Sequence, residues 1–237
     1  MLQIKNLSVK VGEKQILNQI SFDFETGKNY CILGKNGSGK SSLAMTLAGN
    51  PKYEISEGEL LLDGQNLTEM SPDERNKAGI FLTFQNIPEV PGVKLFEFLK
   101  TIYDARAEKP STFLEFKKII EPLMAELEIE KAFLWRDLNV GFSGGEKRKI
   151  EVLQIKLLKP KYIILDEIDS GLDVNAVRQV AELLKAVNTE ENSFIVITHL
   201  FEMLQELPLE KILILEQGKI KAIGGRELMD QVRKEGF

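Results

Sequence analysis

Apolar residues follow different spacings in different parts of this chain of 237 residues. Near its start they alternate with polar residues, at Leu2, Ile4, Leu7 and Val9, which predicts an antiparallel strand. Further on they form short unbroken runs, which are typical of central strands buried on both faces of a sheet. These runs occupy residues 30–33, 162–165 and 194–197. The pattern therefore predicts an α/β fold that contains both kinds of strand.

Helical spacing dominates the middle of the chain. From residue 94 to about residue 135, apolar side chains recur three and four positions apart, after a proline-containing loop at 86–93. We interpret the sequence as a single domain, 1–237, in which residues 88–158 form an inserted helical subdomain. The remainder would form the core together with its β subdomain, and it comprises residues 1–87 and 159–237.

A glycine-rich segment lies between the strand at 30–33 and a helical run that begins at Ser42. It reads Gly34, Lys35, Asn36, Gly37, Ser38, Gly39, Lys40 and Ser41. Its pattern, G-x-x-x-x-G-K-[ST], is that of a phosphate-binding loop when a strand precedes it and a helix follows it. Lys40 would bring its charge to the β- and γ-phosphates of a nucleoside triphosphate, and the Ser41 hydroxyl would ligate Mg²⁺. We predict that residues 34–42 bind the nucleotide; a turn that binds nothing is the alternative, which both flanks disfavour.

Polar residues follow two of the other buried runs. Asp166 and Glu167 end the run at 162–165, and His199 follows the run at 194–197. Ligands of open α/β sheets lie at the carboxyl ends of strands, so these side chains are expected near Lys40. Asp166 can hold Mg²⁺, directly or through water, and Glu167 can accept a proton from the attacking water. His199 is a candidate γ-phosphate contact, although a single histidine at a strand end is more often structural.

A second serine–glycine sequence begins the helix that follows residue 143. Ser143, Gly144 and Gly145 would form another anion-binding helix N-terminus. Because one nucleotide rarely needs two such devices, we infer that this one serves a nucleotide on another copy of the chain. A simple N-capped helix is the alternative.

Together these motifs resemble those of the ATP-binding-cassette (ABC) ATPases over essentially the whole chain. The corresponding segments are the Walker A loop at 34–41, the Q-loop at Gln85, the signature at 142–146, Walker B at 162–167, the D-loop at 170–173 and the H-loop at His199. The resemblance implies a P-loop NTPase core with a mixed sheet, an N-terminal antiparallel β subdomain and an inserted α-helical subdomain. It also implies ATP hydrolysis with Mg²⁺, and a transient ATP-dependent homodimer in which Ser143 reaches the partner's γ-phosphate. Gln85 becomes a candidate metal and catalytic contact on this ground alone.

Within that family the residues are most similar to the SufC group. The similarity rests on residues 79–93, 139–148 and 165–173. It implies binding to SufB- and SufD-like scaffold proteins of iron–sulfur cluster assembly, with the segment from Gln85 to Val93 and nearby helices as the docking surface. The nucleotide-binding subunit of a membrane transporter is the main alternative, and a cassette that acts on nucleic acid is a further one.

Three departures from the family pattern matter. Lys35 replaces a usual proline, Val11 stands where many cassettes carry an aromatic residue against adenine, and Glu146 replaces a usual glutamine. The last puts negative charge near the partner's nucleotide. We also consider that Arg148 pairs with Glu167 or Asp169 and holds the site idle until a scaffold binds.

Composition narrows the classes further. The chain has 31 Lys+Arg against 36 Asp+Glu, a formal net charge of −5, which disfavours a nucleic-acid binder that relies on bulk electrostatics. Cys31 is the only cysteine and lies in an apolar strand, which indicates a buried core thiol. No apolar run approaches transmembrane length, and the first residues do not resemble a signal peptide. We therefore expect a cytoplasmic protein that does not itself insert into a membrane.

Overall fold

The computed structural model describes residues 1–168, 174–198 and 207–236. Contacts divide the chain into two units. The first comprises Met1–Thr83, Pro160–Ile168 and Asn188–Phe237, and the second comprises Phe84–Lys159 and Asp169–Val187.

The first unit contains an antiparallel sheet and a mixed sheet. The antiparallel sheet has the order β2-β1-β4-β5 and consists of β1 (Leu2–Val11), β2 (Lys14–Phe24), β4 (Glu54–Leu62) and β5 (Gln65–Asn66). The mixed sheet has the order β12-β11-β3-β10-β9-β6. Its strands are β3 (Asn29–Leu33), β6 (Ile80–Leu82), β9 (Tyr162–Asp166), β10 (Ser193–Ile197), β11 (Leu209–Glu216) and β12 (Lys219–Gly224). Only β12 runs antiparallel to its neighbour, in the predicted hairpin with β11.

In the described part of the first unit the helices are α1 (Lys40–Leu47), α2 (Pro72–Ala78) and α7 (Arg226–Glu235). The sequence analysis did not predict α7. Side chains of both sheets and α1 form one buried cluster, to which Leu7, Leu43 and Ile164 contribute. The Tyr162 hydroxyl links the sheets, because it accepts from the Leu2 N–H at 3.0 Å and donates to the Phe24 carbonyl at 2.7 Å. This packing fixes β3, β9 and β10 in the middle of the unit.

Helices dominate the second unit. They are α3 (Leu95–Asp104), α4 (Phe113–Glu126), a 3₁₀ helix (Lys131–Trp135), α5 (Gly144–Leu158) and α6 (Val174–Val187). The prediction of a loop at 86–93 was wrong at its end, where β7 (Val90–Lys94) pairs antiparallel with β8 (Asp137–Leu138). The second unit begins at Phe84 and includes α6, because α6 packs on α5. The sequence analysis assigned α6 to the core. Among the described residues, no helix combines the length and the apolar character needed to cross a bilayer.

Candidate functional site

Strand register brings the predicted polar residues of the first unit to one edge of the mixed sheet. In the parallel ladders, Ile197 of β10 pairs with Ile32 of β3 on one side and with Asp166 of β9 on the other. The loop that begins at Gly34 and the acids that end β9 therefore emerge at the same level. This confirms the prediction that the carboxyl ends of these strands lie together. The strands occupy the interior of the sheet because their runs are apolar throughout.

The phosphate-loop lysine is held in the interior of its own loop. Lys40 is 5% exposed, and its Nζ donates to the carbonyls of Gly34 at 2.8 Å and Lys35 at 3.1 Å. Burial lowers the pKa of Lys40, against smaller opposing contributions from Glu167 and Asp166. The loop thus contains a desolvated ammonium group whose contacts are neutral carbonyls, an arrangement that an incoming phosphate would satisfy better.

Two further features of the loop suit an anion. The Ser38 hydroxyl is buried and has no hydrogen-bond partner in the part of the chain that the structure describes. Helix α1 begins at Lys40 after Gly39, which lies in the left-handed region at φ 107°, and its first turn contains no acidic residue and no side-chain cap. No acidic residue in the first turn of α1 therefore neutralises the amide groups at the positive end of this helix.

Gly34 is required by close packing. A Cβ atom there would lie 2.3 Å from the Leu215 carbonyl oxygen and 2.6 Å from the Ser38 hydroxyl. Real Cβ atoms do not approach so closely, so only glycine lets the loop leave β3 on this path. Lys35, Asn36 and Gly37 form the exposed outer part of the loop.

The donor set for a magnesium ion is also in place. The Ser41 hydroxyl donates to the Asp166 carboxylate at 3.1 Å, and Asp166 is 2% exposed. Burial raises the pKa of Asp166, while the hydrogen bond from Ser41 opposes that change. A hydroxyl and a carboxylate oxygen are hard ligands of the kind Mg²⁺ uses beside substrate phosphates, so these residues fit the ion.

Glu167 is the next residue, and its backbone is unusual. Its φ is 47°, in the left-handed region that non-glycine residues seldom adopt, and its N–H donates to the Ile197 carbonyl at 2.8 Å. Glu167 is half-buried. Such conformations persist where surrounding structure enforces them and are common at functional sites. The geometry can thus supply a carboxylate beside the phosphate loop for proton transfer.

In the second unit, Ser143 is the N-cap of α5. Its hydroxyl accepts from the Glu146 N–H at 3.3 Å, and the Glu146 carboxylate accepts from the Ser143 N–H at 2.6 Å, which together form a capping box. The hydrogen bond from the Ser143 N–H is the main reason why the pKa of Glu146 is lowered. Ser143 and Gly144 are exposed and Gly145 is half-buried. The helix cap that was the alternative is present, and the same end remains open to an external anion.

The prediction for Arg148 was wrong with respect to Glu167. Its guanidinium forms an ion pair with Glu151, with Nη1 and Oε2 2.6 Å apart, because the two residues are one helical turn apart on the buried side of α5. Asp169 lies outside the described residues, as do the D-loop residues 170–173 and His199. The sequence analysis missed Glu151, whose signal was a charged residue between Ile150 and Val152 in an apolar helical run.

Gln85 lies in the second unit, in the segment between Phe84 and β7, and it is exposed. Arg148 Nη2 donates to the Gln85 carbonyl at 3.2 Å. The described residues of the predicted site thus fall into two groups. Residues 34–42, Asp166 and Glu167 belong to the first unit, and Gln85, Ser143, Gly144 and Gly145 belong to the second.

Comparison with known proteins identifies the family of the chain. Residues 17–170 match the family model described as "ABC transporter". The chain is 41% identical over its full length to "Probable ATP-dependent transporter ycf16" of Antithamnion sp., covering 96% of that protein. It is 39% identical, again over its full length, to "Probable ATP-dependent transporter SufC" of Escherichia coli (strain K12), covering 97% of it.

A solved structure shows the same fold. The dimeric post-hydrolysis state of the ATP-binding cassette MJ0796, bound to ADP and Pi, superimposes with a TM-score of 0.79 at 22% identity. The match covers 94% of this chain and 98% of that one. It confirms the predicted P-loop α/β core with its mixed sheet. Because the family model spans more than half of the chain and the curated relatives match it from end to end, the chain belongs to the ABC transporter family as an ATP-hydrolysing, SufC-like cassette.

Proposed function

We propose that this chain is the ATPase subunit of a cytoplasmic iron–sulfur cluster assembly machine. ATP would bring two copies together, and their association would change the conformation of a SufB- and SufD-like scaffold. The observation that carries the enzymatic part is the buried Lys40 ammonium group, 5% exposed and bound to carbonyls, beside the Ser41–Asp166 contact. The scaffold is supported by the end-to-end similarity to a SufC protein.

The residues of the first unit would divide the chemistry of hydrolysis. Lys40 binds the β- and γ-phosphates, and the loop amides and the Ser38 hydroxyl bind their oxygens. Ser41 and Asp166 would hold Mg²⁺, with Gln85 as a further ligand; when bound, the ion neutralises charge that develops on the phosphates. Glu167 accepts the proton of the attacking water. We assign a γ-phosphate contact to His199.

Association of two copies would complete each site. The exposed cap of α5, formed by Ser143, Gly144 and Gly145, presents a second helix N-terminus to the nucleotide of the partner copy. The MJ0796 cassette, which has this fold, is dimeric with ADP and Pi bound. We expect dimerisation of this chain to require ATP and to be transient, as the resemblance to the ABC ATPases implies.

The scaffold would dock on the segment that runs from Gln85 to Val93 and the residues beside it. Phe84, which precedes this segment, is 49% exposed, and Val93, which ends it, is 37% exposed, so apolar side chains lie at the surface at both ends. The proposal is tested by titrating the purified ATPase with a purified SufB–SufD-type complex and measuring the rate of ATP hydrolysis. We expect stimulation that Phe84→Ser/Val93→Ser removes. Leu114→Ser is the control, since Leu114 is 67% exposed on α4 and outside this segment.

The alternative is the nucleotide-binding subunit of a membrane transporter. The names of the ycf16 and SufC relatives contain "ATP-dependent transporter", which favours this alternative. The same titration decides between the two functions when a detergent-solubilised permease replaces the soluble complex. Stimulation by the permease, with none by the soluble complex, would refute assembly of clusters as the function.

A further inference from the structure

The backbone at the predicted Q-loop is held by charged groups of α5. Arg148 Nη1 donates to the Phe84 carbonyl at 2.7 Å, and Nη2 donates to the Gln85 carbonyl at 3.2 Å. Glu151 Oε1 accepts from the Phe84 N–H at 2.9 Å. Two side chains one helical turn apart thus bind three polar groups of the 84–85 backbone, the Phe84 N–H and the carbonyls of Phe84 and Gln85.

This contact does not depend on burial of the segment's own side chains. Phe84 is 49% exposed, and Gln85 and Asn86 are exposed as well. By contrast, the side chains of Arg148 and Glu151 are 5% and 6% exposed. The rigid, buried partner is the helix, and the exposed segment takes its position from the hydrogen bonds that the helix provides.

The ion pair is poorly explained as a source of stability. Desolvation of two charges offsets most of their attraction, and apolar residues of similar size often stabilise such a site equally well. Apolar residues, however, provide no directional hydrogen bonds to orient the backbone at residues 84–85. The planar guanidinium holds two carbonyls in a fixed fork geometry, and the carboxylate fixes the Phe84 N–H, which precedes both carbonyls.

We propose that the Arg148–Glu151 pair is a positioning device for Gln85, which makes Gln85 move as one body with the helix that begins at Ser143. The inference rests on the proposed function, because it gives Gln85 its role at the metal and the attacking water. Arg148 and Glu151 act through the backbone and do not touch the nucleotide. The consequence is a link between the chain's own nucleotide, which Gln85 contacts, and the partner copy's nucleotide, which Ser143 contacts.

The test replaces the pair by apolar residues of similar volume, in Arg148→Met/Glu151→Leu. Both charges disappear together, so no uncompensated charge is left in the interior. We expect the variant to unfold cooperatively and to bind ATP as tightly as the unchanged chain, since the phosphate loop is intact. The kcat should fall by about tenfold to a hundredfold, because a displacement of about 1 Å of a positioned group costs about that much.

A double-mutant cycle shows whether the effect passes through Gln85. In a Gln85→Ala background the apolar pair should reduce kcat no further, whereas independent effects would multiply. Lys156→Met/Glu126→Leu is the matched control, because it removes an ion pair between half-buried Lys156 of α5 and exposed Glu126 of α4 and should leave kcat unchanged. Arg148→Lys keeps the charge but not the fork, so kcat should fall even if the apolar pair fails to fold.

Three results would overturn the proposal. They are an unchanged kcat in Arg148→Met/Glu151→Leu, a full multiplicative effect in the Gln85→Ala background, and an equal loss in the Lys156→Met/Glu126→Leu control. Failure of the proposed function is recognised separately, in the unchanged chain and in Gln85→Ala alone. If the unchanged chain does not hydrolyse ATP, or if Gln85→Ala hydrolyses it at the normal rate, Gln85 does not have the assigned role, whatever the Arg148–Glu151 variants show.

Discussion

Replacement of Lys40 by methionine should separate stability from nucleotide binding. Lys40 is 5% exposed, and its ammonium group makes hydrogen bonds to two loop carbonyls. Burial lowers its pKa, so the folded chain binds this proton less tightly than the unfolded chain does. At any pH below that lowered pKa, the protonated lysine therefore opposes folding. Lys40→Met removes this opposition and keeps much of the side-chain volume.

The two effects have different sizes. Hydrogen bonds from a charged group contribute about 1.5–3 kcal/mol each, so two of them contribute about 3–6 kcal/mol. Desolvation of the ammonium group costs several kcal/mol and offsets this, so the free energy of unfolding should change by no more than about 1 kcal/mol, in favour of the variant. Loss of a unit charge about 4 Å from a phosphate at an effective dielectric constant of about 20 costs about 4 kcal/mol. That corresponds to about a thousandfold weaker ATP binding.

Thermal unfolding without nucleotide and titration calorimetry with ATP measure the two quantities. We expect Lys40→Met to unfold at the same or a higher temperature than the unchanged chain, with its advantage shrinking as the pH rises through the lowered pKa of Lys40. With saturating ATP the order should reverse, because the ligand stabilises only the chain that binds it. A variant that is destabilised by several kcal/mol without nucleotide, or that binds ATP normally, would refute the reasoning.

Three further predictions concern the same sites. Glu167→Gln should retain ATP binding, lose turnover by about 10²-fold or more, and accumulate as a dimer with ATP in size-exclusion chromatography; normal turnover would exclude Glu167 as the base. Gly34→Ala should lose ATP binding in calorimetry and about 1–3 kcal/mol of stability in denaturant unfolding, since its Cβ would meet the Leu215 carbonyl at 2.3 Å. Glu146→Gln should keep the cap on Ser143 but remove its charge, so ATP-dependent dimerisation should strengthen about two- to fivefold in sedimentation at low salt; weaker dimerisation would contradict this.

Local patterns were enough to predict most of the fold. The buried runs at 30–33, 162–165 and 194–197, within β3, β9 and β10, are apolar at every position, and the phosphate loop follows the first of them directly. The strand β7 was not predicted because its residues, Val90–Lys94, include a proline and a glycine. Its partner is the two-residue strand β8, more than 40 residues away in the sequence. Pairing of that kind depends on tertiary structure and leaves no local periodicity.

The same distinction applies to the site, and it explains why one half was predicted better than the other. The contact between Ser41 and Asp166 follows from the order of parallel strands, since any residue that ends such a strand must emerge at the same edge. The contact of Arg148 and Glu151 with the backbone at residues 84–85 has no such rule behind it, because a helix can present its charged turn in any direction. The three-residue spacing within α5 allows the two charges to meet, but the sequence analysis did not consider Glu151. Both side chains also bind a segment more than 60 positions earlier, and this contact depends on how the second unit packs. Because the sequence gives no signal of that packing, Glu167 was predicted as a partner of Arg148 in place of Glu151.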